Sequence, residues 1–293
     1  MKHTSIQNVG KAAVFAFLTA FLMSIVAAMI KYLAATVSVE MILLVQYLTC
    51  LLLVFPLAIK NNLSALKTKY LRLHLMRGVA GWICMYTYLL AIKYIPLVDA
   101  VLLRNSAPIF VTLLAPLYFK VHISKLYWVP ITIGLIGIGL VLQPGYDDLK
   151  LWHFLGVFSA MAMAWSIITT KRLTTTEPPS RILFYYFLIS FLFSVPLGLG
   201  KGAPVPHSAL PLMFVVGIFT VLSIWCYTRA YYYASTTVIS PISYIGVVFS
   251  GLWGWLIWSQ LPNNTAIVGA FLVIAGSIGS VVLGKTEHLK PEN

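Results

Sequence analysis

The chain has 293 residues, 60% of them hydrophobic and only 9% charged, with a mean hydropathy of +0.91. Soluble domains carry about 25% charged residues, so this much apolar surface has to face lipid. The formal net charge of +13 does not point to nucleic acid, because the basic residues fall in short connections between apolar blocks and not on one amphipathic face.

Blocks of about 20 apolar residues, enough to cross a ~30 Å hydrocarbon core, divide the chain. The first, 12–32, begins right after Lys11 and outruns the roughly 7–15-residue core of a signal peptide, without a cleavage site, so it is expected to stay as a helix. Ala12, Ala16, Ala20, Ser24 and Ala28 recur along it every fourth position, a row that lets a neighbouring backbone approach closely. Charged residues, Pro and Gly then punctuate further helices at 39–59, 73–92, 97–119, 126–143, 151–170, 182–200, 209–229, 236–258 and 265–284. The sixth has its own small row, Gly156, Ala160 and Ala164. Cys50, Cys84 and Cys226 all fall inside these blocks, an odd number that suits small buried side chains and no disulfide or metal framework. The expected class is an all-α integral membrane protein of ten spans.

With a cytoplasmic N-terminus, the inner segments hold fifteen Lys and Arg, from Lys2 and Lys11 to Lys285 and Lys290, including Lys60, Lys120 and Lys125. The outer segments hold Lys31, Lys93, Lys150 and Lys201, and Arg104 lies within a span. The positive-inside rule therefore predicts cytoplasmic N and C termini for a multi-pass protein, expected in a bacterial inner (plasma) membrane. The chain also matches itself. At an offset of 140 the pairs include Ala20/Ala160, Met23/Met163, Lys31/Lys171 and Pro56/Pro196, and at 139 they include Gly78/Gly217, Tyr88/Tyr227 and Gly137/Gly276. This predicts two five-helix repeats, 10–145 and 150–284, followed by a cytoplasmic tail, 285–293. Five is odd, so the second copy enters from the opposite side, the inverted arrangement of many secondary transporters.

Arg104 is the most informative residue, since a charge inside a span is tolerated only toward protein or water. Asn105, Ser106 and Pro108 follow it, and Pro108 removes the bond to the Arg104 carbonyl, so the helix is expected to break there. Arg104 is a substrate or gating group, or else an ion-pair partner of Asp99 or a carbonyl cap. Asp99 is the candidate for proton or ion coupling, or a helix-start cap. The ninth helix carries Ser240, Pro241, Ser243 and Tyr244, and paired interrupted helices in two halves point to a transporter site. Asn105, Ser243 and Tyr244 therefore join Arg104 as candidate substrate-binding residues. Trp225, Tyr227, Tyr86 and Trp165 lie deeper than the interfacial aromatics and are candidates for an aromatic lining, or for packing and lipid contact. His74, Arg77, His153 and Arg229 lie near span ends, where snorkelling is expected.

Gly279–Thr286 fits a Walker A pattern, but an apolar helix precedes it where a strand is needed, so no ATP site is expected. Asn263-Asn264-Thr265 fits a glycosylation acceptor on an outer connection. No nucleophile–base, paired-carboxylate or metal-ligand constellation suggests an enzyme, and no cofactor is expected.

The stretches 91–119, 128–145 and 161–173 resemble the drug/metabolite transporter superfamily, specifically its ten-helix EamA type, over about residues 10–285. Members often carry Trp-Gly midway along the first helix, where this chain reads Met23-Ser24, and a later Lys, here Lys31. The resemblance implies a secondary carrier of a small organic solute. A cation among aromatic faces with few acids suits an amino-acid-like, zwitterionic or carboxylate-bearing molecule. The third and fourth helices also look like members that take up S-adenosylmethionine or riboflavin, the alternative substrate class. A non-transporting receptor or scaffold is the alternative of another kind, disfavoured by the duplication and short loops. The partners expected are the substrate and the bilayer, with proton or ion coupling, while oligomeric state is not readable.

Overall fold

The computed structural model describes residues 8–59, 66–119, 126, 128–142, 151–200, 205–234 and 236–287. The tail beyond 287 and Lys2, Lys60, Lys120, Lys125, Lys150, Lys201 and Lys290 of the charge pattern lie outside the described residues. The described chain runs through α1 (Val9–Leu33), α2 (Val39–Ala58), α3 (Leu71–Tyr94), α4 (Leu97–Asn105), α5 (Ala107–Phe119) and α6 (Trp128–Leu142). It continues through α7 (Leu151–Leu173), α8 (Pro179–Gly200), α9 (Leu210–Tyr233), α10 (Thr236–Ser243), α11 (Ile245–Trp258) and α12 (Asn264–Glu287), with no strand among the described residues. Nine described stretches are long and apolar enough to cross a membrane, and α6 is a shorter apolar helix. The ten spans expected from the sequence are all present as helix, two of them in two pieces. The Walker-like run 279–286 lies inside α12, so its backbone N–H groups face the helix and not a phosphate.

Two spans are divided, the first just before Pro108 as expected and the second at Tyr244, three residues beyond Pro241, which itself lies inside α10. Ser106 separates α4 from α5: its hydroxyl donates to the Leu103 carbonyl at 2.6 Å, and the Ile109 N–H closes a short ring onto the Ser106 carbonyl at 3.0 Å. Tyr244 separates α10 from α11 in the same way, with its N–H on the Pro241 carbonyl at 3.3 Å and its own carbonyl taken by Val247 at 3.0 Å. In both places i→i+3 bonds replace i→i+4 ones, which shifts the carbonyls out of register with the helix that follows.

The most extensive pairings are α6 with α12, α3 with α7, α1 with α9 and α2 with α8. Small residues make them possible. The α1 row from Ala12 to Ala28 is buried throughout, as are Gly156, Ala160 and Ala164 of α7. Where α6 crosses α12, a Cβ on Gly276 would lie 2.6 Å from the Gly134 Cα and from the Pro130 carbonyl oxygen. Those are backbone atoms that cannot swing away, so the crossing depends on glycine. On α3, a Cβ at Gly78 would meet Ile189 at 2.6 Å, and one at Gly81 would meet the Tyr186 ring at 2.5 Å.

The snorkelling expected of three residues is corrected, for two of them, His74 and Arg77, by that close approach of α8 to α3. His74 is buried against Tyr185, with ring centroids 4.5 Å apart, Arg77 lies over the Tyr186 ring and His153 is buried. Arg229 behaves as expected, exposed with its guanidinium over Trp225.

At the end of the bundle where α7 turns into α8, the Thr68 hydroxyl donates to Glu177 Oε1 at 2.6 Å and Arg181 Nη1 donates to Glu177 Oε2 at 2.5 Å. Nearby, the Tyr185 hydroxyl donates to the Leu66 carbonyl at 2.9 Å. Burial alone would raise the Glu177 carboxyl, but the Thr68 and Arg181 hydrogen bonds and the charges of Arg181 and His74 hold it below its ordinary value. A carboxyl depressed in the folded state stabilises the fold above its unfolded value of 4.5, and that contribution is lost as pH falls through the lower folded value. Thermal unfolding in detergent from pH 7 to 3 is expected to show wild type losing more stability below about pH 4.5 than Glu177→Gln. Parallel curves would remove this network from the acid response.

Candidate substrate site

The two helix breaks meet. The Tyr244 hydroxyl donates to the Asn105 backbone carbonyl at 3.2 Å, supplying a donor to a group that the short Ser106 ring leaves without its helical one. Tyr244 is only 7% exposed, so this bond lies inside the bundle. Ser243, beside it, is exposed and bonds locally to the Ile239 carbonyl at 3.2 Å.

Arg104 points toward α3 and α8. Its guanidinium lies over the Tyr88 ring at 4.7 Å, and the groups acting on it are Cys84, Tyr88 and Tyr186, with no carboxylate among them. Its Nε is buried and has no hydrogen-bond partner. A cation–π contact contributes about 0.5–2 kcal/mol, whereas placing an arginine at mid-membrane costs about 3 kcal/mol even on insertion scales. The ring stabilises the cation and leaves its Nε–H without an acceptor.

Asp99 does not pair with Arg104. The charge acting on it is that of Lys31, which is only 9% exposed and whose Nζ donates to the carbonyls of Ile92 and Ile95 at 2.9 and 2.6 Å, at the end of α3. The Trp258 ring covers the same ammonium at 5.8 Å. The ion-pair alternative for Arg104 is thereby corrected, because α4 begins one connection after α3 and brings its first turn to the end of α1.

The aromatic candidates part company. Tyr86 stacks on Trp82 at 5.3 Å and donates to Glu40 Oε1 at 2.9 Å, while Trp82 Nε1 donates to Ser194. Trp165 meets Tyr118 edge-on at 5.6 Å and lines an apolar cleft of about 420 Å³ with Leu75, Met76 and Ile83. Trp225 and Tyr227 are 48% and 47% exposed, and Trp225 packs on Phe15 of α1, away from the Arg104 cluster. Sequence reasoning missed Arg77, Tyr47, Tyr88, Tyr186 and Lys31 as members of these clusters. A tyrosine in an apolar helix carries no signal of which neighbour it will face. Among the described residues no three His, Cys, Asp or Glu side chains converge to hold a metal.

The positions at which the family resemblance departs are used for packing: the Ser223 hydroxyl lies 3.0 Å from the Met23 sulfur, and Trp253 Nε1 donates to the Ser24 hydroxyl at 3.0 Å.

Comparison with known proteins adds an independent line. The model of the EamA-like transporter family matches residues 10–143 and again 150–282. The pseudopaline exporter CntI of Pseudomonas aeruginosa is 29% identical over 266 residues, 90% of this chain and 93% of that protein. A riboflavin transporter of Brucella anthropi is 26% identical, covering 80% and 84%, and an S-adenosylmethionine uptake transporter of Rickettsia bellii is 22% identical, covering 88% and 90%. A solved crystal structure aligns with a TM-score of 0.63 at 16% identity over 95% of this chain and 99% of that one, a likeness of fold.

Proposed function

The chain belongs to the EamA-like transporter family, a family of membrane transporters and not of enzymes, and from that premise we propose that it is a secondary carrier moving an amino-acid-like, carboxylate-bearing metabolite by alternating access. The observation that carries the substrate reading is Arg104: a cation at a helix break, held by an aromatic face, with no acid acting on it among the described residues. Its counter-charge comes from the solute. Relatives named for pseudopaline, riboflavin and S-adenosylmethionine keep a cofactor-like solute as the second reading.

Two inverted five-helix repeats supply the moving parts. The helix pairings support this, because exchanging the halves turns α1 with α9 into α7 with α3, and α2 with α9 into α8 with α3, while α2 with α8 and α6 with α12 map onto themselves. The bond between Tyr244 and Asn105 joins residues 139 apart, the offset that relates the halves. Such a pair lies on the axis about which the halves rock. The fifteen-to-four basic asymmetry supports cytoplasmic termini in a bacterial inner membrane, and Asp99 beside Lys31 is the group suited to couple a proton or ion to the movement.

A thermal-shift screen of purified protein against amino acids, nucleosides, flavins, S-adenosylmethionine and quaternary amines, followed by uptake into proteoliposomes, tests the reading. Stabilisation and saturable uptake of a carboxylate-bearing amino acid are expected. Uptake confined to flavins or S-adenosylmethionine would transfer the conclusion to the second reading.

A further inference from the structure

Arg77, on α3, and Arg104, on α4, each lie over a tyrosine ring of one buried cluster. The Arg77 guanidinium lies 4.1 Å over the Tyr186 ring and the Arg104 guanidinium 4.7 Å over the Tyr88 ring, and Tyr186 feels the charge of both arginines. The Tyr47 and Tyr186 hydroxyls are 3.4 Å apart, placing a second phenol in the cluster. Gly81 makes room for the approach, since a Cβ there would lie 2.6 Å from Arg77 Nη1 and 2.5 Å from the Tyr186 ring. Arg77 Nε and Nη1 and Arg104 Nε are all buried without a hydrogen-bond partner. Among the described residues the groups acting on Arg104 are Cys84, Tyr88 and Tyr186, and Glu177 is held by Thr68 and Arg181.

A guanidinium presents its N–H groups as a planar fork that matches a carboxylate, and a phenol hydroxyl donates to the same oxygens. We propose that Arg77 and Arg104 form a two-pronged recognition site, walled by Tyr47, Tyr88 and Tyr186, for a solute carrying two carboxylates. This deepens the carrier reading above and rests on it. One arginine engages each carboxylate, and the aromatic walls exclude water and cover the apolar part of the solute.

The test measures the half-maximal concentrations of glutamate, succinate and alanine for thermal stabilisation of detergent-solubilised wild type, Arg77→Gln, Arg77→Lys and Arg104→Gln. Uridine, choline and glycerol phosphate serve as neutral, cationic and phosphate probes. Wild type is expected to respond to glutamate and succinate at lower concentrations than to alanine. Arg77→Gln is expected to raise the glutamate and succinate values by roughly 10- to 100-fold, the loss of one charged hydrogen-bonded contact, and to leave the alanine value within about twofold. Arg77→Lys keeps the charge without the fork and recovers only part of the difference. Arg104→Gln is expected to weaken all three. An equal change for glutamate and alanine in Arg77→Gln overturns the proposal, as does a wild type that responds to no carboxylate or prefers glycerol phosphate. Should Arg77→Gln fail to give a monodisperse protein, Arg77→Lys carries the test, and unchanged selectivity for glutamate over alanine in it overturns the proposal. Uptake of uridine or choline into proteoliposomes with no carboxylate response would sink this site while leaving the carrier reading intact.

Discussion

Replacing Arg104 by Gln is expected to reduce uptake of the proposed carboxylate-bearing substrate by at least roughly 100-fold and to leave a folded protein. A carboxylate bound against a desolvated guanidinium loses about 3–5 kcal/mol when the cation is removed, because the anion is then buried without a counter-charge. Without substrate the same replacement is close to neutral. The arginine Nε already lacks a partner, its main contact is the Tyr88 ring at 4.7 Å, and a neutral amide is cheaper than a charge at that depth. Uptake in proteoliposomes and thermal unfolding of the empty carrier separate the two effects. Unchanged uptake kinetics would remove Arg104 from the site and take away the main support for an anionic substrate.

Lys31→Met is expected to act in the opposite way, lowering stability first. The lysine Nζ satisfies the carbonyls of Ile92 and Ile95, and its charge acts on Asp99. Met has similar length and no donor, so two carbonyls lose their hydrogen-bond donor and Asp99 loses the positive charge that acts on it. Hydrogen bonds to charged groups contribute about 1.5–3 kcal/mol each, so a loss of about 3 kcal/mol is a moderate expectation. For a chain of this size it corresponds to a fall in Tm of roughly 6–10 °C. Adding Asp99→Asn removes the stranded carboxylate and should restore part of the loss, which makes the pair non-additive. Additive effects of the two substitutions would show that Asp99 and Lys31 do not act on one another.

Much of the fold was legible because lipid simplifies the code. Every backbone group must be satisfied within the segment, so an apolar run of sufficient length is a helix, and the ten expected spans agree with the observed helices within a few residues at each end. The first break was legible for the same reason, since Pro108 removes a donor that the membrane cannot replace, whereas Pro241 sits inside α10 and the second break falls three residues beyond it, at Tyr244. The small-residue rows of α1 and α7 marked close packing correctly, and Arg104 announced an inward-facing position through its cost in hydrocarbon.

What the sequence could not determine is which side chains meet. Arg77 reads as a residue near a span end, free to reach the interface, until Gly78 and Gly81 bring α8 close enough for Tyr186 to cover it. Lys31 and Lys171 are matched residues in the two halves, yet Lys31 is buried on two carbonyls while Lys171 is exposed in a cleft with Tyr70 and Arg172. Hydropathy records only that a residue lies in a span. Its rotation and its neighbour are set by helix–helix packing, which in lipid has no hydrophobic drive to leave a pattern in the sequence. Chain order and the apolar blocks thus determined the number, length and interruption of the helices. The pairing of α3 with α8, and with it the gathering of two arginines in one tyrosine cluster, was decided by tertiary contacts alone.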